Sequence, residues 1–127
     1  MSKKTWRVLL TEQQRAVIIL MTERFEGKRT EFQRMDRAVN VLDPDFLLSD
    51  MIQPTGMGVM IDLPKLSTDE EAYVFDNEPF KTLKTFLKDQ QVNYSRRQAT
   101  IGRLFIDVLD AFEDAQEIQE VEDEPAD

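Results

Sequence analysis

The fold is decided by the stretch 6-WRVLLTEQQRAVIILM-21, in which the spacing of apolar residues changes once. Apolar residues first recur at every second position, which predicts a short strand over 6–10 with one buried face. Thr11 comes next, and Gln14 completes a Thr-x-x-Gln capping box, a common helix start, ahead of a dense apolar run. The stretch therefore predicts a strand that leads directly into a helix.

Two helices are predicted from this point onward. Helix 1 is expected over 12–26, with Gly27 as its stop. Helix 2 is expected over 31–42, where Thr30 and Gln33 repeat the capping box. Because only the four residues 27–30 would connect them, the two helices are predicted to form an antiparallel helical hairpin.

The middle of the chain predicts short elements. Apolar spacing favours at most two helical turns over 47–52, and Pro and Gly favour a loop over 53–58. Alternating residues predict strands over 59–63 and 72–75, joined as a loose hairpin that completes a small antiparallel sheet with the first strand. The segment 67–76 could instead be a short helix, since it begins with a second type of capping pair.

Two helices are predicted at the C-terminal end. Helix 3 opens at Asn77 and Pro79, and Ser95 is expected to cap helix 4. The apolar residues of 101–118 fill an arc of about 180° on a helical wheel, with Ile106 alone on the other side. Helix 4 is therefore either central, packed on two sides, or has an outer face that binds a partner. Six positions also fit a heptad seam for a homodimer through helix 4: Ile101, Leu104, Val108, Ala111, Ala115 and Ile118.

The predicted fold class is α+β and mainly helical: a helical hairpin, a small antiparallel sheet and two C-terminal helices. A chain of 127 residues fits one domain. We expect a single globular domain over 1–119 and a disordered acidic tail over 120–127, because the last residues lack apolar periodicity.

Composition argues against several kinds of chemistry. The chain has no Cys and no His, which rules out disulfides, thiolate zinc sites, a cysteine nucleophile and a Ser-His-Asp triad. The longest uncharged apolar run, 16–21, is far shorter than the roughly 20 residues that span a bilayer. We expect a cytoplasmic protein that is not an enzyme, needs no cofactor and does not enter membranes.

The charge is sorted along the chain. Residues 110–127 hold nine acids and no base, whereas residues 1–109 hold 16 acids and 16 bases, so the net charge of −9 belongs to the C-terminal end. Such asymmetry favours a contact with a basic surface. The predicted partner-binding residues are Asp107, Asp110, Asp114, Glu117, Glu120, Glu122, Asp123 and Glu124. The function predicted from them is that of a small adaptor, inhibitor or regulatory protein that binds a basic surface of a macromolecular partner.

The alternative is a DNA- or RNA-binding regulator. Residues 79–106 hold six bases and one acid, and they could form a helix-turn-helix with the acidic tail as an internal competitor. The turn lacks Gly, and a protein with a pI of about 4.5 is repelled from DNA at long range. The candidate nucleic-acid-binding residues are Lys81, Lys84, Lys88, Arg96, Arg97 and Arg103.

Three other features of the sequence resemble sites but have plainer explanations. The spaced acids of 107–117 could attract Mg²⁺ or Ca²⁺ but lack an enclosing cage, so no metal is assigned. They would also give only limited DNA mimicry, because the rest of the chain is neutral. The glycines of 56–58 precede a strand and lack a Walker lysine, which favours a plain turn. Asp43 is expected to end helix 2 and Asp45 to start the next turn, so these residues and Asp62 are explained as capping and turn residues without a catalytic role.

Overall fold

The mainly helical α+β class is confirmed by a computed structural model. It describes residues 2–23, 25–55, 58–60, 63–90 and 99–121. In chain order the elements are β1 (Ser2–Thr11), α1 (Glu12–Thr22), α2 (Arg29–Leu42), α3 (Leu47–Met51), β2 (Gln53–Thr55), β3 (Gly58–Met60), β4 (Glu70–Asp76), α4 (Asn77–Asp89), α5 (Ala99–Glu113) and β5 (Gln116–Val121). A 3-10 turn, Leu63–Lys65, precedes β4.

The first strand leads into α1 at Thr11, as predicted. The Gln14 backbone N–H donates to the Thr11 hydroxyl (3.1 Å), and the Thr11 N–H donates to the Gln14 side-chain oxygen (3.0 Å). These bonds satisfy donors that the first turn of a helix leaves without partners. In β1, Val8 and Leu10 are fully buried while Arg7 is exposed, so the predicted alternation is confirmed.

The first helix ends at Thr22, earlier than predicted. Phe25 lies beyond this end and packs edge-on against Phe32 of α2 and Phe86 of α4, with ring centroids 5.0 and 5.3 Å apart. Such T-shaped aromatic pairs stabilise beyond the area they bury. These contacts draw the chain away from the helix before Gly27 is reached.

The second helix begins at Arg29 and does not use the predicted box at 30–33. The Glu31 carboxylate accepts a hydrogen bond from the Lys28 backbone N–H (2.9 Å), so capping starts earlier. Because α1 ends at Thr22 and α2 begins at Arg29, the connection is longer than the predicted four residues. The two helices are in contact, and α2 packs more extensively on α4.

The main sheet has the strand order β4-β1-β5, with both pairs antiparallel. The prediction that helix 4 continues to Ile118 is wrong, because α5 ends at Glu113 and the chain returns along β1 as β5. The buried Thr5 hydroxyl donates to the Ile118 carbonyl (3.3 Å). The tail predicted over 120–127 thus begins inside this strand, and 122–127 lie outside the described part of the chain.

The loop predicted over 53–58 contains β2, and the strand predicted over 59–63 is confirmed at 59 and 60, where it belongs to β3. Residues 56, 57, 61 and 62 lie outside the described part of the chain. β2 and β3 pair antiparallel in a separate sheet. The predicted hairpin between 59–63 and 72–75 is therefore wrong. The segment 67–76 forms a strand from Glu70 onward, and it pairs with β1. Alternation predicted strand character here, but it does not specify which strands pair.

The core is closed by an aromatic cluster between β1, β4, α4 and α5. The Phe80 ring stacks on Trp6 at 4.7 Å and on Phe112 at 5.6 Å. Phe75 lies 6.3 Å from Phe80 and 6.0 Å from Phe112, between ring centroids. All but the half-buried Trp6 are buried, so these rings fix where α4 and α5 sit on the sheet.

The wide apolar arc of α5 is used within the chain. Phe105, Val108 and Phe112 are buried, and Ile106 on the opposite side is 47 % exposed. Three half-buried members of the arc also contact the core: Leu104, Leu109 and Ala111. Because α5 packs on α1, α4 and β1, the central position is the explanation that fits. The predicted cap, Ser95, lies outside the described residues.

Candidate functional site

Three of the predicted partner-binding acids form a patch at the end of α5. Asp107, Asp110 and Asp114 are exposed, and none of them forms an ion pair with another described residue. The Asp114 N–H donates to the Asp110 carbonyl (2.9 Å), which keeps it in the last turn. Residues three and four apart share one side of a helix. We call these three residues the α5 acidic patch.

The neighbouring Glu113, unlike the three patch residues, forms ion pairs within the chain. Its carboxylate lies 2.7 Å from Lys88 Nζ and 3.6 Å from Lys84 Nζ, so it joins α5 to α4. The hydrogen bond from Lys88, and then the charge of Lys84, lower the pKa of Glu113 below its ordinary value of 4.5. Glu113 is not among the site residues predicted from the sequence, although it follows Asp110 by three residues, the same spacing that separates Asp107 from Asp110.

Two other predicted acids lie along β1. Glu117 is 3.3 Å from Lys4 Nζ, which also lies over the Trp6 ring at 5.1 Å. Glu120 lies in β5, where its Cα is paired with that of Lys3. Part of the acidic end therefore returns to a basic strand of its own chain. The remaining predicted acids lie outside the described residues: Glu122, Asp123 and Glu124.

The predicted basic segment is only partly described. Lys84 and Lys88 are the two cations that Glu113 joins, and Arg103 is exposed on α5. Lys81 lines a groove of ≈ 500 Å³ between α2 and α4, together with acids that include Glu78. Arg96, Arg97 and the turn of the predicted helix-turn-helix lie outside the described residues.

The predicted heptad seam does not form one helical surface. Val108 is buried, and Leu104, Ala111 and Ala115 pack against the core of their own chain. Ile118 belongs to β5, since the helix ends before it. Ile101 lies in α5. The apolar spacing is therefore explained by packing within the chain, at the positions whose side chains are described.

A second surface, not predicted from the sequence, is a groove of ≈ 670 Å³ beside α3, which we call the α3 groove. It is bounded by the start of α1, the turn between α2 and α3, α3 itself and β4. Leu47 on its edge is 65 % exposed, and Phe46 beside it is 60 % exposed. The described lining residues are Glu12, Arg15, Val41, Asp43, Pro44, Asp45, Leu47, Leu48, Asp50, Met51, Glu71 and Tyr73.

The edge of the α3 groove is held in place by Asp43. This side chain is buried and accepts hydrogen bonds from the backbone N–H groups of Leu48 and Ser49, both at 3.0 Å, and from the Ser49 hydroxyl at 2.9 Å. Asp43 therefore caps α3, whereas the sequence suggested Asp45. Between the two helices, Phe46 has φ of 59°, a conformation that costs energy for a residue with a side chain.

The floor of the α3 groove carries one cation that is already engaged. Arg15 donates to the Leu42 carbonyl (2.6 Å), lies 3.7 Å from the Glu12 carboxylate and stacks 4.9 Å from the Tyr73 ring centre. The Tyr73 hydroxyl donates to Glu71 (3.2 Å). Burial raises the pKa of Tyr73, and the Arg15 charge opposes this. Three exposed carboxylates, those of Asp45, Asp50 and Glu71, lie around the groove, against the single cation Arg15 among its described lining residues.

The described residues contain neither a metal-binding cluster nor a membrane-spanning helix. No three acids among them lie close enough together to hold a metal ion. No described helix has the length and apolar character needed to cross a bilayer.

Comparison of the chain with protein-family models, with curated proteins and with solved structures finds no match.

Proposed function

We propose that this chain is a small non-enzymatic adaptor, inhibitor or regulatory protein. It binds a basic surface of a macromolecular partner through the α5 acidic patch and the acidic residues that follow it. The observation that carries the proposal is the contrast within one short segment. Glu113 and Glu117 are paired with lysines of the chain, while Asp107, Asp110 and Asp114 have no ion pair with a described residue.

The cost of the patch supports this proposal. Like charges three or four residues apart destabilise a helix by about 0.2–0.5 kcal/mol per pair. Asp107 and Asp110 of α5, and Asp114 directly after its end, form two such pairs on one side. A partner that brings Arg or Lys side chains to this side would relieve the repulsion.

The support beneath the patch is rigid. Phe105, Val108 and Phe112 anchor the opposite side of α5 in the core. The Glu113 contacts with Lys84 and Lys88 add a second attachment to α4. A partner would therefore meet carboxylates at fixed positions and would spend little free energy on ordering them.

The test is affinity capture from native lysate with matched charge variants. The patch variant is Asp107→Asn, Asp110→Asn and Asp114→Asn. The control variant is Glu23→Gln, Asp36→Asn and Asp69→Asn, which removes the same charge from exposed positions elsewhere.

A protein captured by the wild type and the control but lost with the patch variant supports the proposal. Equal capture by all three forms would overturn it. Recovery of nucleic acid in place of a protein would favour the basic segment as the functional surface.

A further inference from the structure

We propose that the α3 groove docks a short amphipathic, positively charged segment of another protein. An apolar side chain of that segment would sit against Leu47 and Met51, with Lys or Arg side chains next to the surrounding carboxylates. None of the described residues that line the groove belongs to α5. The inference therefore stands independently of the α5 acidic patch.

The apolar half of the proposal rests on exposed side chains that the fold itself does not cover. Leu47 is 65 % exposed and Phe46 is 60 % exposed, whereas the adjacent Leu48 is only 3 % exposed. Among the described residues, Phe46 is also the one non-glycine with positive φ. Exposed apolar side chains and a strained backbone coincide at one edge, which is where binding sites are often found.

The strained edge is firmly built. The Phe46 N–H donates to the Asp43 carbonyl (3.2 Å), and the Asp50 N–H donates to the Phe46 carbonyl (3.0 Å). The Asp43 carboxylate accepts hydrogen bonds from the Leu48 and Ser49 N–H groups in the first turn of α3. The two apolar side chains are thus presented by an ordered backbone, and a partner does not have to order it.

The charge of the occupant follows from the lining. Glu12, Asp45, Asp50 and Glu71 surround the groove, and Arg15 is the one cation among the lining residues described. The Arg15 guanidinium already contacts the Leu42 carbonyl, Glu12 and Tyr73. An acidic segment or a nucleic acid would be repelled, whereas Lys or Arg side chains would pair with Asp45 and Asp50, which form no ion pair with a described residue.

The volume favours a few side chains rather than a whole domain face. A groove of ≈ 670 Å³ is in the range of sites that accept small ligands or a short peptide segment. One or two apolar anchors flanked by cations, as on one side of an amphipathic helix, would fill it.

The experiment uses a fluorescein-labelled peptide of about four helical turns, with Leu and Lys at helical spacing. Binding to the full chain is measured by fluorescence anisotropy and located by amide shifts in NMR spectra. A second peptide with Ala in place of Leu separates the apolar contribution from charge alone.

Three variants distinguish the outcomes. Asp45→Asn, Asp50→Asn and Glu71→Gln together remove charge from the groove, Leu47→Ser removes the apolar anchor, and the α5 patch variant removes the same charge elsewhere. Since the altered side chains are exposed, folding should persist, and circular dichroism checks it. We expect each of the two groove variants to bind the Leu-Lys peptide with about tenfold lower affinity than the wild type. The α5 patch variant should bind it with nearly unchanged affinity.

Each other outcome overturns the inference. Equal loss in the groove-charge and α5 variants would mean non-specific attraction to an acidic protein. Loss in the α5 variant alone would support the proposed function but not this site. If the Leu-Lys peptide did not bind, the proposed docking would be wrong. If the Ala-Lys peptide bound equally well, the groove would not recognise an apolar side chain, and the inference would fail.

Discussion

Lys88 on α4 and Glu113 on α5 form a hydrogen-bonded ion pair at 2.7 Å, and Lys84 completes the contact at 3.6 Å. Two cations of the predicted basic segment are thus engaged by an acid of the predicted partner-binding segment. The contact explains why charge counted along the sequence overstates how much of each sign is available to a partner.

The Glu113 contact predicts a pH dependence. Its folded pKa is lowered, so its contribution to stability is present above the ordinary value of 4.5 and is lost as pH falls through the folded pKa. The difference in denaturation midpoint between wild type and Glu113→Gln should therefore be larger at neutral pH than in acid. Carbon NMR titration of the carboxyl checks the pKa, and Lys88→Gln should move it back towards 4.5. A midpoint difference that is the same at both pH values would contradict the contact.

The capping box predicts unequal effects at two threonines. Thr11→Ala should lower the free energy of unfolding by about 0.5–2 kcal/mol, because the first turn of α1 loses a hydrogen-bonded cap. Thr30→Ala is the control, since the start of α2 uses Glu31 instead and position 30 is exposed. Denaturant unfolding of both variants measures the difference. Equal losses would show that α1 does not depend on this cap.

The aromatic cluster predicts a large effect at Phe80. Phe80→Ala should cost about 3–5 kcal/mol, because the buried ring stacks on Trp6 and Phe112 and a cavity would replace it. Ile106→Ala removes an exposed apolar side chain from α5 and should change stability by about 0.5 kcal/mol or less. Guanidinium titrations followed by circular dichroism give both values. A small loss at Phe80 would mean that α4 does not pack as described.

The last strand predicts where the chain tolerates shortening. A variant ending at Ala115 loses β5 and exposes one edge of β1, so its unfolding midpoint should fall clearly. A variant ending at Val121 keeps every described pairing and should unfold like the full chain. Thermal unfolding of the two lengths decides this. If the shorter one were as stable as the longer, the β1–β5 pairing would be wrong.

The strand-to-helix switch at Thr11 could be predicted from sequence because it depends on neighbours along the chain. The end of the last helix could not. Ala115 and Ile118 continue the helical spacing of Phe112 and so favour a longer helix, although in the structure Ile118 lies in a strand. Pairing with β1, more than one hundred residues away along the chain, decides between them. Local spacing carries no information about such a partner.

Of the two candidate surfaces, one could be predicted from local sequence and the other depends on contacts between distant residues. The α5 acidic patch could be predicted because helical spacing and charge are both visible in the sequence. The ion pairs of Glu113 and Glu117 depend on which elements meet, so the sequence does not show that these carboxylates are engaged by lysines of the same chain. The α3 groove could not be predicted because the sequence indicates only that Asp43 ends helix 2. Its role in capping the next helix, with Phe46 turned outward, requires the fold.

The most direct test of the proposed function is the affinity of the captured partner at two salt concentrations. Calorimetry with the purified partner would compare the wild type, the α5 patch variant and the matched control at about 50 and 200 mM salt, since exposed charges are screened within this range. We predict that the patch variant binds about tenfold more weakly at low salt and loses most of the salt dependence, while the control matches the wild type. Equal affinities and equal salt dependence for all three forms would contradict the account.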